Sequence, residues 1–144
     1  MTVKIRAIAE NDFPEWLPLW DGNNLGQRDQ LVTTKTWGRL LDEKSGVFGI
    51  VAEEKGKLLG LTHFVLHPTT GAVNDACYMQ DVFVDPNSRG KGIAHKMVQH
   101  LARLGRKEKW ARMYWMAESD NVAAQALYKN IGHKLNFTFH VMPF

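Results

Sequence analysis

At the start of the chain Val3, Ile5, Ala7 and Ala9 alternate with Lys4, Arg6 and Ile8, a period of two that predicts an edge or half-buried strand. Asn11 or Asp12 then caps a helix from about Phe13, with Pro14 in the first turn, where proline is tolerated, and Pro18 expected to break it early. Residues 21–26 carry loop chemistry, and Thr33 or Thr34 is placed to cap a helix holding Trp37, Leu40 and Leu41. Residues 47–53 and 58–67 flank the polar turn Glu54-Lys55-Gly56-Lys57 and read as an antiparallel hairpin. Residues 76–84 form a further strand, closed by Asp85-Pro86-Asn87. Ile93, Met97, Leu101 and Leu104 recur at helical spacing, which predicts a helix over 92–109. A short strand over 112–116 and a helix over 121–130, ended by Gly132, follow. Leu135, Phe137, Phe139 and Val141 alternate as a last strand before Pro143.

This order predicts a mixed α/β fold: a mostly antiparallel central sheet, a parallel βαβ unit and flanking helices. Strand 76–84, helix 92–109 and strand 112–116 have the length of a right-handed crossover, so the two strands should run parallel. A ligand site is then expected beyond their carboxyl ends. With 144 residues, the chain is expected to form one domain over 1–144. Cys77 is the sole cysteine, which excludes an intrachain disulfide and favours a reducing compartment. No apolar run reaches signal-peptide or membrane-spanning length, so a cytoplasmic protein with no membrane association is expected. The net charge of +3 is unevenly placed: residues 85–134 hold ten Lys/Arg against four Asp/Glu. Such a segment either solvates a helix face or receives a polyanion. No aromatic stripe alternates with its basic residues, which argues against nucleic acid.

Ser88-Arg89-Gly90-Lys91-Gly92-Ile93-Ala94 lies between the end of a strand and the start of the most regular helix. Its two glycines let the backbone turn tightly and approach a ligand, and the free N–H groups of the helix's first turn point outward. The helix dipole, Arg89 and Lys91 make the turn a candidate anion site; the plainer alternative is a simple connection between strand and helix. A nucleotide P-loop needs GxxxxGK and a hydroxyl, which are missing. A dinucleotide fingerprint would demand glycine where His95 stands.

The run Arg89-x-x-Gly92-x-Ala94 resembles motif A of the Gcn5-related N-acetyltransferase (GNAT) family, and Asn121, Ala124, Leu127, Tyr128 and Gly132 fit the family's second motif. The similarity extends to a branch of fungal histone and D-amino-acid N-acetyltransferases through Trp16, Trp20, Thr36-Trp37, His67-Pro-Thr-Thr70, residues 78–87 and Met113-Tyr-Trp115. It implies the GNAT fold, acetyl-coenzyme A as cosubstrate and direct transfer of acetyl to a primary amine, either of a small molecule or of a protein lysine. By resemblance, the amides of residues 89–94 (Arg89, Gly90, Lys91, Gly92, Ile93 and Ala94) hold the pyrophosphate. The main chain of Val82, Phe83 and Val84 pairs with the pantetheine arm, and the two parallel strands splay to admit it.

Within that frame Tyr128 is the candidate general acid, since a phenol with pKa about 10 matches a departing thiolate in proton affinity. Asn121 and Tyr128 stand two helical turns apart and so share a face with Ala124, lining the same arm. Asp81 is the first candidate base, with a purely structural carboxylate as the alternative. Its neighbour Gln80 occupies a position that is acidic in some polyamine-acetylating relatives, and an amide cannot take a proton. His67 is a substrate-contact candidate beside Pro68. His63 and His67 would lie about 13 Å apart on one strand face, too far to share a metal ion, and no metal is expected. Cys77 reads as a buried hydrophobe. The rival to an enzyme is a non-catalytic acyl-coenzyme A sensor or interaction module on the same fold. The alternating tail could pair or exchange strands with a second copy, so a homodimer is expected. Residues 22–33 carry no motif, and the acceptor amine is not identified.

Overall fold

The computed structural model describes residues 2–144. Strand β1 (Lys4–Ala7) leads through a 3-10 turn into helix α1 (Phe13–Asn23) and helix α2 (Gln30–Leu41). Strands β2 (Val47–Glu54), β3 (Lys57–His67) and β4 (Ala76–Val84) follow, then helix α3 (Ile93–Glu108), strand β5 (Arg112–Tyr114) and helix α4 (Val122–Tyr128). The sheet order is β1-β2-β3-β4-β5, antiparallel except for the β4–β5 pair. The expected mixed sheet with a parallel βαβ unit is therefore present.

Each face of the sheet has its own core. Ile93, Met97, Val98 and Leu101 of α3 pack on Ile50, Phe64, Cys77, Met79 and Val84. Trp16, Leu19 and Trp20 of α1 and Leu40 of α2 pack on Val51, Leu58 and Leu61 from the other side. This second core explains why Pro18 does not end α1, contrary to expectation. An interior proline costs about 3 kcal/mol or more, yet α1 buries three large side chains at about 1.5–3 kcal/mol each. The start of α2 also differs from expectation. Asp29 caps it by accepting from the Val32 N–H, while Thr33 is buried and accepts from Trp20 Nε1 at 2.9 Å.

Two irregularities shape the site. In the β3–β4 ladder His63 pairs with Asp81 but Phe64 pairs with Met79, leaving Gln80 as the extra residue of a bulge. Cys77 and Met79 face the α3 core before the bulge, and Val82 and Val84 face it afterwards. Tyr78, Asp81 and Phe83 are thereby all turned toward α1. Second, β5 pairs only with Ala76–Tyr78, so six further residues of β4 have no neighbour on that side among the described residues.

The C-terminal elements are shorter than expected. β5 ends at Tyr114, α4 spans Val122–Tyr128, and residues 135–141 form no strand. Leu135, Phe137, Phe139 and Val141 are 66–85% exposed. Alternation alone does not make a strand; it needs pairing with an edge and a surface to cover, and this segment pairs with no strand among the described residues.

Candidate active site

Asp81 sits just beyond the bulge with a carboxylate held from two sides. Asn23 Nδ2 donates to Oδ1 at 3.1 Å, and His63 Nδ1 lies 3.0 Å from Oδ2. His63 is buried on β3, and its Nε2 accepts from Trp16 Nε1 at 3.0 Å. Tyr78 and Tyr114 stack across β4 and β5 with ring centroids 5.1 Å apart. The Tyr78 hydroxyl is pushed above its usual pKa by burial first, and then by the nearby Asp81 charge and Tyr114.

The open edge of β4 runs on from Asp81. The Asp85 N–H donates to Leu59 O at 2.8 Å, so the main-chain groups of residue 85 and, by alternation, of Phe83 face β3. Those of Val82 and Val84 face the gap between β4 and β5. The role expected of Phe83 therefore changes: its main chain belongs to the sheet, and its ring lies against Gly22 of α1. Arg89 also departs from a simple phosphate ligand. Its Nε donates to Val84 O at 3.0 Å and its guanidinium lies 5.2 Å from the Phe83 ring centroid, which ties the glycine turn to the end of β4.

Gly90 and Gly92 both adopt positive φ, +78° and +77°, the left-handed region that side chains disfavour. Gly92 is the N-cap of α3, and no side chain caps that helix. Its first intrahelical bond runs from Lys96 N–H to Gly92 O, leaving the amides of Ile93, Ala94 and His95 without a protein partner among the described residues. By contrast, Asp29 caps α2 and Asn121 caps α4. Lys91 is exposed beside the turn. An uncapped, glycine-opened helix start next to a strand with a free edge fits a ligand that joins a diphosphate to an extended amide-bearing arm.

Tyr128 at the end of α4 packs on Trp115 with centroids 5.2 Å apart. Partial burial raises the pKa of its phenol. Asn121 stands just before the helix that ends at Tyr128. It is the cap, and its Oδ1 is occupied by the Ala124 N–H at 3.0 Å. Ala124 is half-buried on the helix.

The two substrate candidates separate. Gln80 is exposed at the bulge. His67 pairs with Ala76 at the far end of β3, about 13 Å from His63. Its Nε2 is 2.7 Å from the Tyr114 hydroxyl and its Nδ1 is 2.7 Å from Pro68 O. A carbonyl can only accept, so Nδ1 carries a proton and donates to Pro68 O. Sequence reasoning did not connect Asn23, His63 or Trp16 with Asp81. An antiparallel register drawn between strands 58–67 and 76–84 would have brought His63 close to Asp81; the ring contact from Trp16 left no signal in the sequence.

Residues 5–133 match the family model described as Acetyltransferase (GNAT) family. The chain belongs to the GNAT acetyltransferase family. It is 27% identical over 137 residues to the D-amino-acid N-acetyltransferase HPA3 of Saccharomyces cerevisiae, covering 92% of this chain and 85% of that protein. Its fold matches a ribosomal-protein-alanine N-acetyltransferase from Brucella melitensis biovar Abortus 2308 with a TM-score of 0.83 at 22% identity, over 99% of this chain and 100% of that one. It also matches AAC(6')-Iy in complex with the bisubstrate analog CoA-S-monomethyl-acetylneamine, with a TM-score of 0.82 at 16% identity over 100% and 99% of the two chains. As a GNAT enzyme, the protein moves acetyl from acetyl-coenzyme A to an amine. Among the described residues, no group of three or more His, Cys, Asp or Glu side chains is arranged to hold a metal ion.

Proposed function

We propose that this GNAT enzyme acetylates a primary amine by direct transfer, with Asp81 as the base and Tyr128 as the acid. The observation that carries this reading is that Asp81, oriented by two donors, immediately precedes the stretch of β4 whose outer edge has no strand neighbour among the described residues. The amides of Ile93, Ala94 and His95, the main-chain groups of Val82 and the Val84 N–H would hold the acetyl donor, whose thioester supplies the activated carbonyl. An alkylammonium with pKa about 10.4 is only about one part in a thousand neutral near pH 7.4, so the Asp81 carboxylate takes its proton as it reacts. Burial keeps Tyr128 protonated well above neutral pH, and its Oη carries the proton that the departing thiolate requires. Tyr78, close enough to feel the Asp81 charge, stacks on Tyr114, whose ring already carries the Arg112 guanidinium at 5.7 Å. A pure coenzyme sensor would need neither the oriented carboxylate nor the protonated phenol.

A panel of primary amines, with D- and L-amino acids, polyamines, aminoglycosides and lysine peptides, assayed with radiolabelled acetyl-coenzyme A, tests this reading. Turnover with at least one class is expected; coenzyme binding with no turnover across the panel would favour the sensor. Tyr128→Phe should lower kcat by about 10²–10⁴-fold while leaving coenzyme affinity nearly unchanged. An unchanged kcat removes Tyr128 from the acid role.

We further propose a homodimer and a cytoplasmic setting. The exposed alternating tail 135–141 and the three-residue edge strand β5 support the first, since each offers what the other lacks. The single buried thiol of Cys77 supports the second. Light scattering should give the mass of two chains, and removal of residues 135–144 should give the mass of one.

A further inference from the structure

We infer that Trp16 locks His63 as a neutral imidazole protonated on Nδ1, and that His63 in this form is the positioning residue that aims the Asp81 carboxylate at the acceptor amine. The inference rests on the reading of Asp81 as the base.

The argument is one of donors and acceptors. An indole N–H can only donate. Trp16 Nε1 lies 3.0 Å from His63 Nε2, so Nε2 must accept and carries no proton. The ring's proton is therefore on Nδ1, which donates to Asp81 Oδ2 at 3.0 Å. Protonating Nε2 would set two N–H groups against each other at that distance, inside a site where His63 is 3% exposed. The His63–Asp81 contact is thus a hydrogen bond from a neutral ring and not an ion pair. Asp81 keeps its full charge for the ammonium.

The indole is itself fixed. Trp16 is fully buried and stacks on Trp20 at 5.5 Å and 10°, and Trp20 Nε1 donates to Thr33. The lock thus runs from α2 through α1 and β3 to β4. Asp81 on β4 is the charged group facing His63, with Tyr78 as its titratable neighbour. Helix α1 offers the neutral rings of Trp16 and Trp20, and β2 offers Gly49 as the cross-strand partner. Trp16 also closes the path: its nitrogen cannot receive a proton, so a proton taken by Asp81 returns to solvent from Asp81 and does not pass through His63. The histidine orients the carboxylate, and the carboxylate does the chemistry.

Ring ¹⁵N NMR of the wild-type enzyme tests the lock directly, with His63 assigned by its loss in His63→Asn. The expected result at neutral pH is a proton on Nδ1 and none on Nε2. A proton on Nε2 overturns the inference. In Trp16→Phe the ring is free to protonate and pair with Asp81. That pairing withdraws the Asp81 charge from the amine, so kcat/KM should fall severalfold further between pH 8 and pH 5.5 than in the wild type. A profile parallel to the wild type overturns the proposal.

If Trp16→Phe does not fold, a second pair of variants decides. His63→Asn keeps an N–H near the Nδ1 position and should retain most activity. His63→Leu should lose about ten- to a hundredfold in kcat at unchanged KM for acetyl-coenzyme A, the range seen when a group that orients another is removed. Equal losses in the two variants refute the positioning role. Full activity in Asp81→Asn would remove the base, and with it the purpose assigned to His63. A proton on His63 Nε2 with a dead Asp81→Asn overturns the positioning alone.

Discussion

Replacing Asp81 by Asn changes one oxygen to an NH₂ at nearly constant volume, and the structure allows its consequences to be separated. The carboxylate receives one donor on each oxygen, from Asn23 and from His63. The new amide has only one acceptor oxygen, so one of those donors must face its NH₂. The His63 ring cannot adapt by moving its proton, because Trp16 occupies Nε2. One buried donor left unpaired costs about 1–3 kcal/mol, which lowers Tm by about 2–4 °C per kcal/mol in a chain near this size. That part is structural and is read from a thermal melt. The chemical part is larger. Loss of a general base costs about 10²–10⁴-fold in turnover, and the variant then relies on the amine that is already neutral. That fraction grows about tenfold per pH unit below the amine's pKa, so kcat/KM of Asp81→Asn should climb by nearly that factor per unit between about pH 7 and 9 while the wild type changes far less. Initial rates across this range with a saturating acetyl donor give the comparison. A folded variant within threefold of wild type at pH 7.4, or one without the steep rise, would refute the assignment of Asp81.

Three further expectations follow from other parts of the molecule. An Ala at Gly92 meets nothing within 4 Å, so its cost is the left-handed backbone alone, about 1–2 kcal/mol, and calorimetry should show coenzyme affinity lowered about five- to thirtyfold with the fold intact. Burial pushes the Cys77 thiol up to about 12, so it stays protonated at pH 8; alkylation should require unfolding, and no acetyl group should be found on it after turnover. The Arg6 guanidinium, and secondarily the Ala9 N–H, hold the Asp12 carboxyl below its ordinary range. A depressed folded pKa contributes stability above the unfolded value of about 3.9 and loses it as pH falls through the folded value, so Asp12→Asn should lower Tm at pH 7 and make little difference near pH 2.

The parts of this fold that were legible in the sequence are those governed by local periodicity. The apolar spacing of Ile93, Met97 and Leu101 identified α3, and the Lys55-Gly56 turn identified the β2–β3 hairpin. The glycine turn was legible because left-handed backbone leaves a composition mark. Asp81 could be named but not explained. Strict alternation from Cys77 and Met79 would have put it in the apolar α3 core, and only the extra residue at Gln80 moves it to the opposite face beside His63. Pro18 misled because the penalty it carries is local while the burial of Trp16 and Trp20 that outweighs it is tertiary. The tail misled in the opposite sense: Phe137 and Phe139 carry a strand's pattern but pair with no strand among the described residues.

The bare start of α3 means that this enzyme does not complete its own architecture. A carboxylate or amide placed at Gly92, as Asp29 and Asn121 are placed for their helices, would quiet those amides permanently and compete with the diphosphate proposed to bind there. If the donor binds there as proposed, it becomes a component of the folded state: at a hundred times its Kd, any ligand specific for the native form adds about 2.7 kcal/mol. Resistance of the enzyme to heat and proteolysis is thereby coupled to how much coenzyme its surroundings contain.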